Sequence, residues 1–317
     1  MARYQLQAAQ IHTTDLNAGS ALNIGGITSG EVATKTETTN DESGAVYDQL
    51  RAISSQMPEI EFKTKSLATW LTYIGLAGYS ISSDGSHPGI RLFGSQLTDA
   101  KAAPAANAHA RYTVGKGLVI LGEINAKQGE DATLSIMVHA LTDGTNAPLA
   151  GAYTSITLPS SLLSQIFTLG VCEIANQSLG ELQSVSIDFG IKLTDKTPAA
   201  GAVWPDSLAV RRIQPVVTFT GFDPTILDDA KIPLAGVQGT HANTRIQLRK
   251  RSPYGQFVAS ATEEHIMITV GGIATATQAF SGSGSEESTT VLRVEGVHDG
   301  TNVPVLIDTT NVYSASL

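Results

Sequence analysis

Hydrophobic and polar residues alternate with a period of two along much of this chain, the pattern of strands that bury one face and expose the other. Residues 4–11 and 31–38 follow it and are rich in Thr and Val, and residues 184–193 follow it again later in the chain. Further strands are predicted near 58–64, 89–93, 109–123, 132–141 and 148–154, with counterparts in the second half. One segment departs from this rule. Leu67, Trp70, Leu71 and Ile74 are spaced i, i+3, i+4 and i+7, which predicts a helix over 66–74 with one apolar face. A shorter helix is predicted over 223–229, where Asp223 can cap and Pro224 suits the first helical position. Polar stretches at 39–47 and 194–204 read as long loops, ending on Tyr47 and Trp204.

These elements come in the same order twice. Asp143-Gly144-Thr145-Asn146-Ala147-Pro148 returns as Asp299-Gly300-Thr301-Asn302-Val303-Pro304, an offset of 156 (299 less 143). At that offset His109 falls on His265, Gly115 on Gly271, Ile90 on Ile246 and Leu92 on Leu248. With small shifts, Leu6 pairs with Leu169, Tyr47 with Trp204 and Phe62 with Phe219. An ordered series of this kind over most of a chain marks internal duplication. Two tandem β domains are expected, 1–160 and 161–317. Asp-Gly and Asn tolerate positive φ, so each Asp-Gly-Thr-Asn is predicted as a hairpin turn joining the last two strands of its unit. Antiparallel strands plus one helix per unit, without βαβ alternation, predict a mainly β fold. The expected form is a β-sandwich or small barrel with the helix packed across one side.

Composition narrows the function. The 317 residues are enough for a core in each unit. Charged residues are only 15% of the total, so Thr, Ser, Ala, Gly and Asn must cover much of the surface. The formal net charge is −9, which suits a chain that does not grip nucleic acid, because phosphate binding needs Lys and Arg. The one dense basic run is Arg249-Lys250-Arg251, with Arg245 just before it, and it reads as a solvated or interchain-paired strand end. A single cysteine, Cys172, excludes an intrachain disulfide and a thiolate metal site. The N-terminus lacks a signal-peptide stretch, and apolar runs such as residues 118–121 are far too short to span a bilayer.

Candidate chemistry is sparse. None of the seven histidines pairs with another His or with Cys at ligand spacing, and His109 and His265 read as structural. Gly115-Lys116-Gly117 lacks the spacing of a phosphate loop and is predicted as a strand-to-strand turn. Glu263-Glu264 and Glu286-Glu287 are sequence neighbours, which point to opposite faces of a strand and make no acid/base pair. Asp143 and Asp299 lack calcium-loop spacing around them. No enzyme activity, no cofactor and no metal are expected.

A β domain duplicated in one chain suits ring assembly, since three chains present six similar domains around an exact threefold. The order strand, long loop, strand, helix runs through Gly30 and residues 31–38, the loop to Tyr47, residues 57–64 and the helix at 66–74. This layout resembles the major tail tube proteins of long-tailed (non-contractile, siphovirus-type) bacteriophages, in their duplicated-domain form. The resemblance implies a structural virion protein of the tail, assembled in the host cytoplasm with no membrane. It implies homotrimeric, pseudo-hexameric rings that stack, with DNA passing through the lumen without specific binding. Its other partners would be tape-measure, tail-terminator and distal tail proteins. The loops at 39–47 and 194–204 would reach the next ring. Asp41, Glu42, Tyr47, Lys196 and Trp204 are therefore candidate inter-ring or inter-subunit contacts, together with Arg249, Lys250 and Arg251. The alternatives are another ring-forming tail or baseplate component, or a carbohydrate- or receptor-binding β-protein. The last needs an exposed aromatic pocket, and only 6% of residues are aromatic. A ring clamp on DNA would need a basic inner face.

Overall fold

The computed structural model describes residues 3–12, 21–40, 51–74, 79–80, 89–97, 109–160, 162, 165–196, 203–221, 227, 240–282, 289–298, 300–301 and 303–313. The first half supplies β1 (Arg3–His12), β2 (Ala21–Ile24), β3 (Ile27–Asn40), β4 (Arg51–Thr64), α1 (Leu67–Ile74), β5 (Tyr79–Ser80), β6 (Ile90–Leu97), β7 (Ala110–Val114), β8 (Lys116–Lys127), β9 (Thr133–Leu141) and β10 (Leu149–Ala152). The second supplies β11 (Ile166–Ile174), β12 (Gln177–Ser178), β13 (Leu182–Asp188), β14 (Ile191–Lys196), β15 (Ser207–Ile213), β16 (Val216–Gly221), β17 (Thr240–Arg251), β18 (His265–Ser281), β19 (Thr289–Gly296) and β20 (Val305–Asn311). The chain is mainly β, with large antiparallel sheets.

Strands β10-β7-β6-β1-β2 form a five-stranded sheet. A thirteen-stranded sheet runs β12-β11-β17-β18-β19-β16-β13-β8-β9-β4-β3, with β20 on β18 and β5 on β8, and β14 pairs with β15 alone. Inward residues of the smaller sheet (Ile11, Leu92, Val114) share one core with Phe62, Ile136 and Val138 of the larger. The helix closes this core. Its apolar face is buried through Leu67, Trp70, Leu71 and Ile74, and the Trp70 and Phe62 rings lie 5.1 Å apart. Burying each such side chain contributes about 1.5–3 kcal/mol, which holds an eight-residue helix too short to persist alone. In the second predicted helix the structure describes only Leu227, which is helical and buried.

The two halves pair their strands in one pattern. In the first, β1 joins β2 and β6, β6 joins β7, β7 joins β10, β8 joins β9, and β9 joins β4. In the second, β11 joins β12 and β17, β17 joins β18, β18 joins β20 and β19, and β19 joins β16. Irregularities also coincide. The β3–β4 ladder shifts between Ile27 and Ser29 and between Glu37 and Thr38. The second half shifts between Leu182 and Ser184 and between Lys192 and Leu193, in each case 155 residues later (182 less 27).

Three expectations need correction. The 143–146 segment does not close a hairpin, because β10 pairs with β7; in the second half β20 pairs with β18, and Asp299 and Asn302 lie outside the described residues. Asp143 instead caps the turn, accepting from the backbone N–H of Asn146 and Thr145 at 2.7 and 2.8 Å, and the turn carries the chain out of the β8–β9 sheet. Gly115 is a one-residue bend between β7 and β8 and not a reversing turn, and Gly271-Gly272 lies inside the uninterrupted β18. Ile90 faces Val114 across its ladder while Thr244 faces Val270, so Thr244 stands in the place expected for Ile246. Loop-length differences absorb that two-residue slip.

Candidate assembly surfaces

Chemistry on this molecule concentrates where the halves meet. Strand β8 of the first half pairs with β13 of the second, setting Ala126 opposite Val185 and Ile124 opposite Ile187. Backbone bonds from Gln128 N–H to Gln183 O and from Phe189 N–H to Gly122 O extend the junction at 2.9 and 3.1 Å. Beside it, the β14–β15 hairpin lies across the first half, and Leu208 packs with Leu118, Ile120 and Leu141 in a separate apolar cluster. Polar contacts frame that cluster. Thr142 N–H donates to Pro205 O at 3.0 Å, Lys116 Nζ to Asp206 O at 2.8 Å, and Gln56 N–H to Val203 O at 2.7 Å. The helix contributes a further bond, between the Thr72 and Thr309 hydroxyls.

The proposed contact residues separate into three groups. Asp41, Glu42 and Tyr47 lie outside the described residues. Lys196 ends β14, its backbone opposite Ser207. Trp204 sits at the base of that hairpin, half-buried, and its indole N–H donates to Gln56 Oε1 of the first half.

The basic run is engaged within its own chain. Arg249 lies between the Phe257 and Tyr313 rings, 4.3 and 4.7 Å from their centroids, where cation–π attraction holds it. Lys250 pairs with Glu264 at 3.0 Å, and Arg245 with Glu173 at 3.5 Å. Arg251 reaches Asp131 and the Gly129 carbonyl of the first half. Glu173 and Asp131 stand far from these cations in sequence, so the run alone gave no sign of them.

His265 is buried, and its Nδ1 accepts from the Lys250 N–H at 3.0 Å. Among the described residues, no group of three His, Cys, Asp or Glu side chains is placed to hold a metal ion. No described helix is long and apolar enough to cross a membrane.

The residues sequence reasoning missed are apolar and exposed: Ile53 on β4, Ile273 and Phe280 on β18, and Val297 just after β19. The ladders carry the signal, because Ile273 and Val297 stand where the first half has the buried Leu118 and Leu141. A hollow of about 250 Å³ lies over the β3–β4 ladder, lined by Gly30, Glu31, Glu61 and Phe62. No family model matches the chain, and no curated protein matches it in sequence.

Proposed function

We propose that the two halves are divergent copies of one unit, and that the chain is a structural protein whose trimeric, pseudo-hexameric rings stack into a phage tail tube. The observation that carries this reading is the repeated ladder pattern, with register shifts at matching positions in both halves. Two similar units fused in one chain, with a sheet that passes from one to the other, suit a closed ring of three chains. The mechanism is mechanical and electrostatic. Rings stack into a rigid conduit, and the acidic balance of the chain disfavours adhesion of DNA as it slides through.

Negative-stain microscopy of the purified protein tests this. Threefold rings or tubes are expected as concentration rises. A monomer that persists at high concentration and forms no polymer under any condition would overturn the reading. Rings that never stack would move it to another ring-forming tail or baseplate component.

A further inference from the structure

We propose that the second half of one chain binds the first half of another through the same junction that joins the halves inside each chain, with Val32 opposite Phe280. The inference rests on the halves being copies and not on their forming a tail tube.

Among the described residues, two of the open sheet edges match the strands of the internal junction. Strand β3 ends the large sheet there, paired only with β4. Strand β18 pairs with β17 as far as Ala274, and beyond it only its β19 side is filled among the described residues. These are the counterparts of β13 and β8, the two strands that meet at the internal junction. An open edge is ordinarily guarded by charge or proline. From Thr275 to Gly282 this one carries neither.

The apolar side chains tell the same story. Leu118 is 2% exposed, whereas Ile273, which faces the equivalent position on the neighbouring strand, is 41% exposed. Leu141 is 3% exposed and Val297 is 40%. Ser281 faces Thr289 as Asn125 faces Thr133, so Phe280 occupies the place of Ile124. Ile124 is fully buried against the second half, and Phe280 is 68% exposed. In each pair the first-half residue lies at the internal junction, and among the described residues its second-half counterpart has nothing comparable over it.

The complementary face belongs to the first half. Gly30 is exposed and Val32 half-buried, while their counterparts Val185 and Ile187, which β8 covers, are both buried. Exposed Ile53 lies on the arm of β4 that corresponds to β15, the strand whose Leu208 seals the internal cluster. Carrying the internal register across gives Val32 opposite Phe280, Glu31 opposite Ser281 and Ala33 opposite Ala279. The occupant is a second copy of this chain, because only that copy carries the matching register and apolar positions.

Cysteine cross-linking of the full-length protein tests the register. Val32→Cys with Phe280→Cys places two thiols on directly opposed antiparallel positions, within the Cα separation a disulfide needs. The native Cys172 is buried and does not interfere. Oxidation with copper phenanthroline should give covalent multimers on a non-reducing gel, with the 32–280 bond confirmed by peptide mapping. Val32→Cys with Thr275→Cys should give none. Multimers seen by sedimentation without the 32–280 bond, or equal bonding in the off-register pair, would overturn the inference while leaving a ring possible. Cross-linked multimers that form no tubes would uphold it and remove the tail tube. As a second variant, Phe280→Asp changes an exposed residue, so its circular dichroism should match the parent. Its self-association should weaken at least about tenfold, since a buried charge at the seam is strongly disfavoured. Unchanged association of a folded Phe280→Asp protein would also overturn the inference.

Discussion

The indole N–H of Trp204 donates to Oε1 of Gln56 over 3.1 Å, tying the base of the β14–β15 hairpin to a strand 148 residues earlier in the sequence. Trp204→Phe keeps the packing and removes the donor, so it should cost about 1 kcal/mol of unfolding free energy. Trp204→Ala loses both and should cost roughly 2 kcal/mol, below the figure for a fully buried tryptophan. Urea denaturation followed by circular dichroism measures both, and equal losses in the two variants would show that the hydrogen bond dominates.

Trp70 presents the opposite case. It is fully buried under α1 against Phe62. Trp70→Ala should cost about 3–5 kcal/mol and flatten the near-ultraviolet circular dichroism, because this apolar face anchors the helix in the core.

Burial pushes the Cys172 thiol up to about 12 from its ordinary value near 9. Its folded-state pKa is raised, so the associated stability is complete below pH 9 and is lost as pH climbs toward 12. A thiol reagent at pH 8 should leave the native protein unmodified and label one thiol per chain in denaturant. Rapid labelling of the native protein would contradict the burial.

Asp143 behaves in the reverse sense. The Asn146 backbone N–H, then the Asn146 side-chain amide, then the Thr145 backbone N–H hold its carboxyl down to about 2. The stabilisation is present above the ordinary value near 3.8 and disappears as pH falls toward 2. Asp143→Ala should lower the melting temperature slightly at neutral pH and make the acid limb between pH 4 and 2 shallower. An unchanged acid limb would assign that limb to other carboxylates.

How far the sequence could be read depended on whether an interaction was local. The i, i+3, i+4, i+7 spacing of Leu67, Trp70, Leu71 and Ile74 reflects a face that the segment buries by itself, and it emerged as expected. Residues 31–38 form the expected strand, but none of its side chains is buried. A strand's choice of neighbour is not local. The Asp143 turn has the residues of a hairpin, yet it hands the chain to β7 and not back to β9, because nothing in period two distinguishes one sheet from another. The Arg249 run was visible as charge, but Phe257 and Tyr313 were not visible as its partners. Ile273 and Phe280 were legible only by comparison with Leu118 and Ile124, once the ladders had fixed which residues correspond.

Because β8 hydrogen-bonds to β13, there is no seam at which the first half can melt while the second stays folded. The main core runs from Ala9 to Val305 as one cluster. Heating should therefore give a single calorimetric transition, with equal calorimetric and van't Hoff enthalpies, in place of the two peaks that separate beads on a string would show. Cooperativity, more than size, makes such a chain one building block.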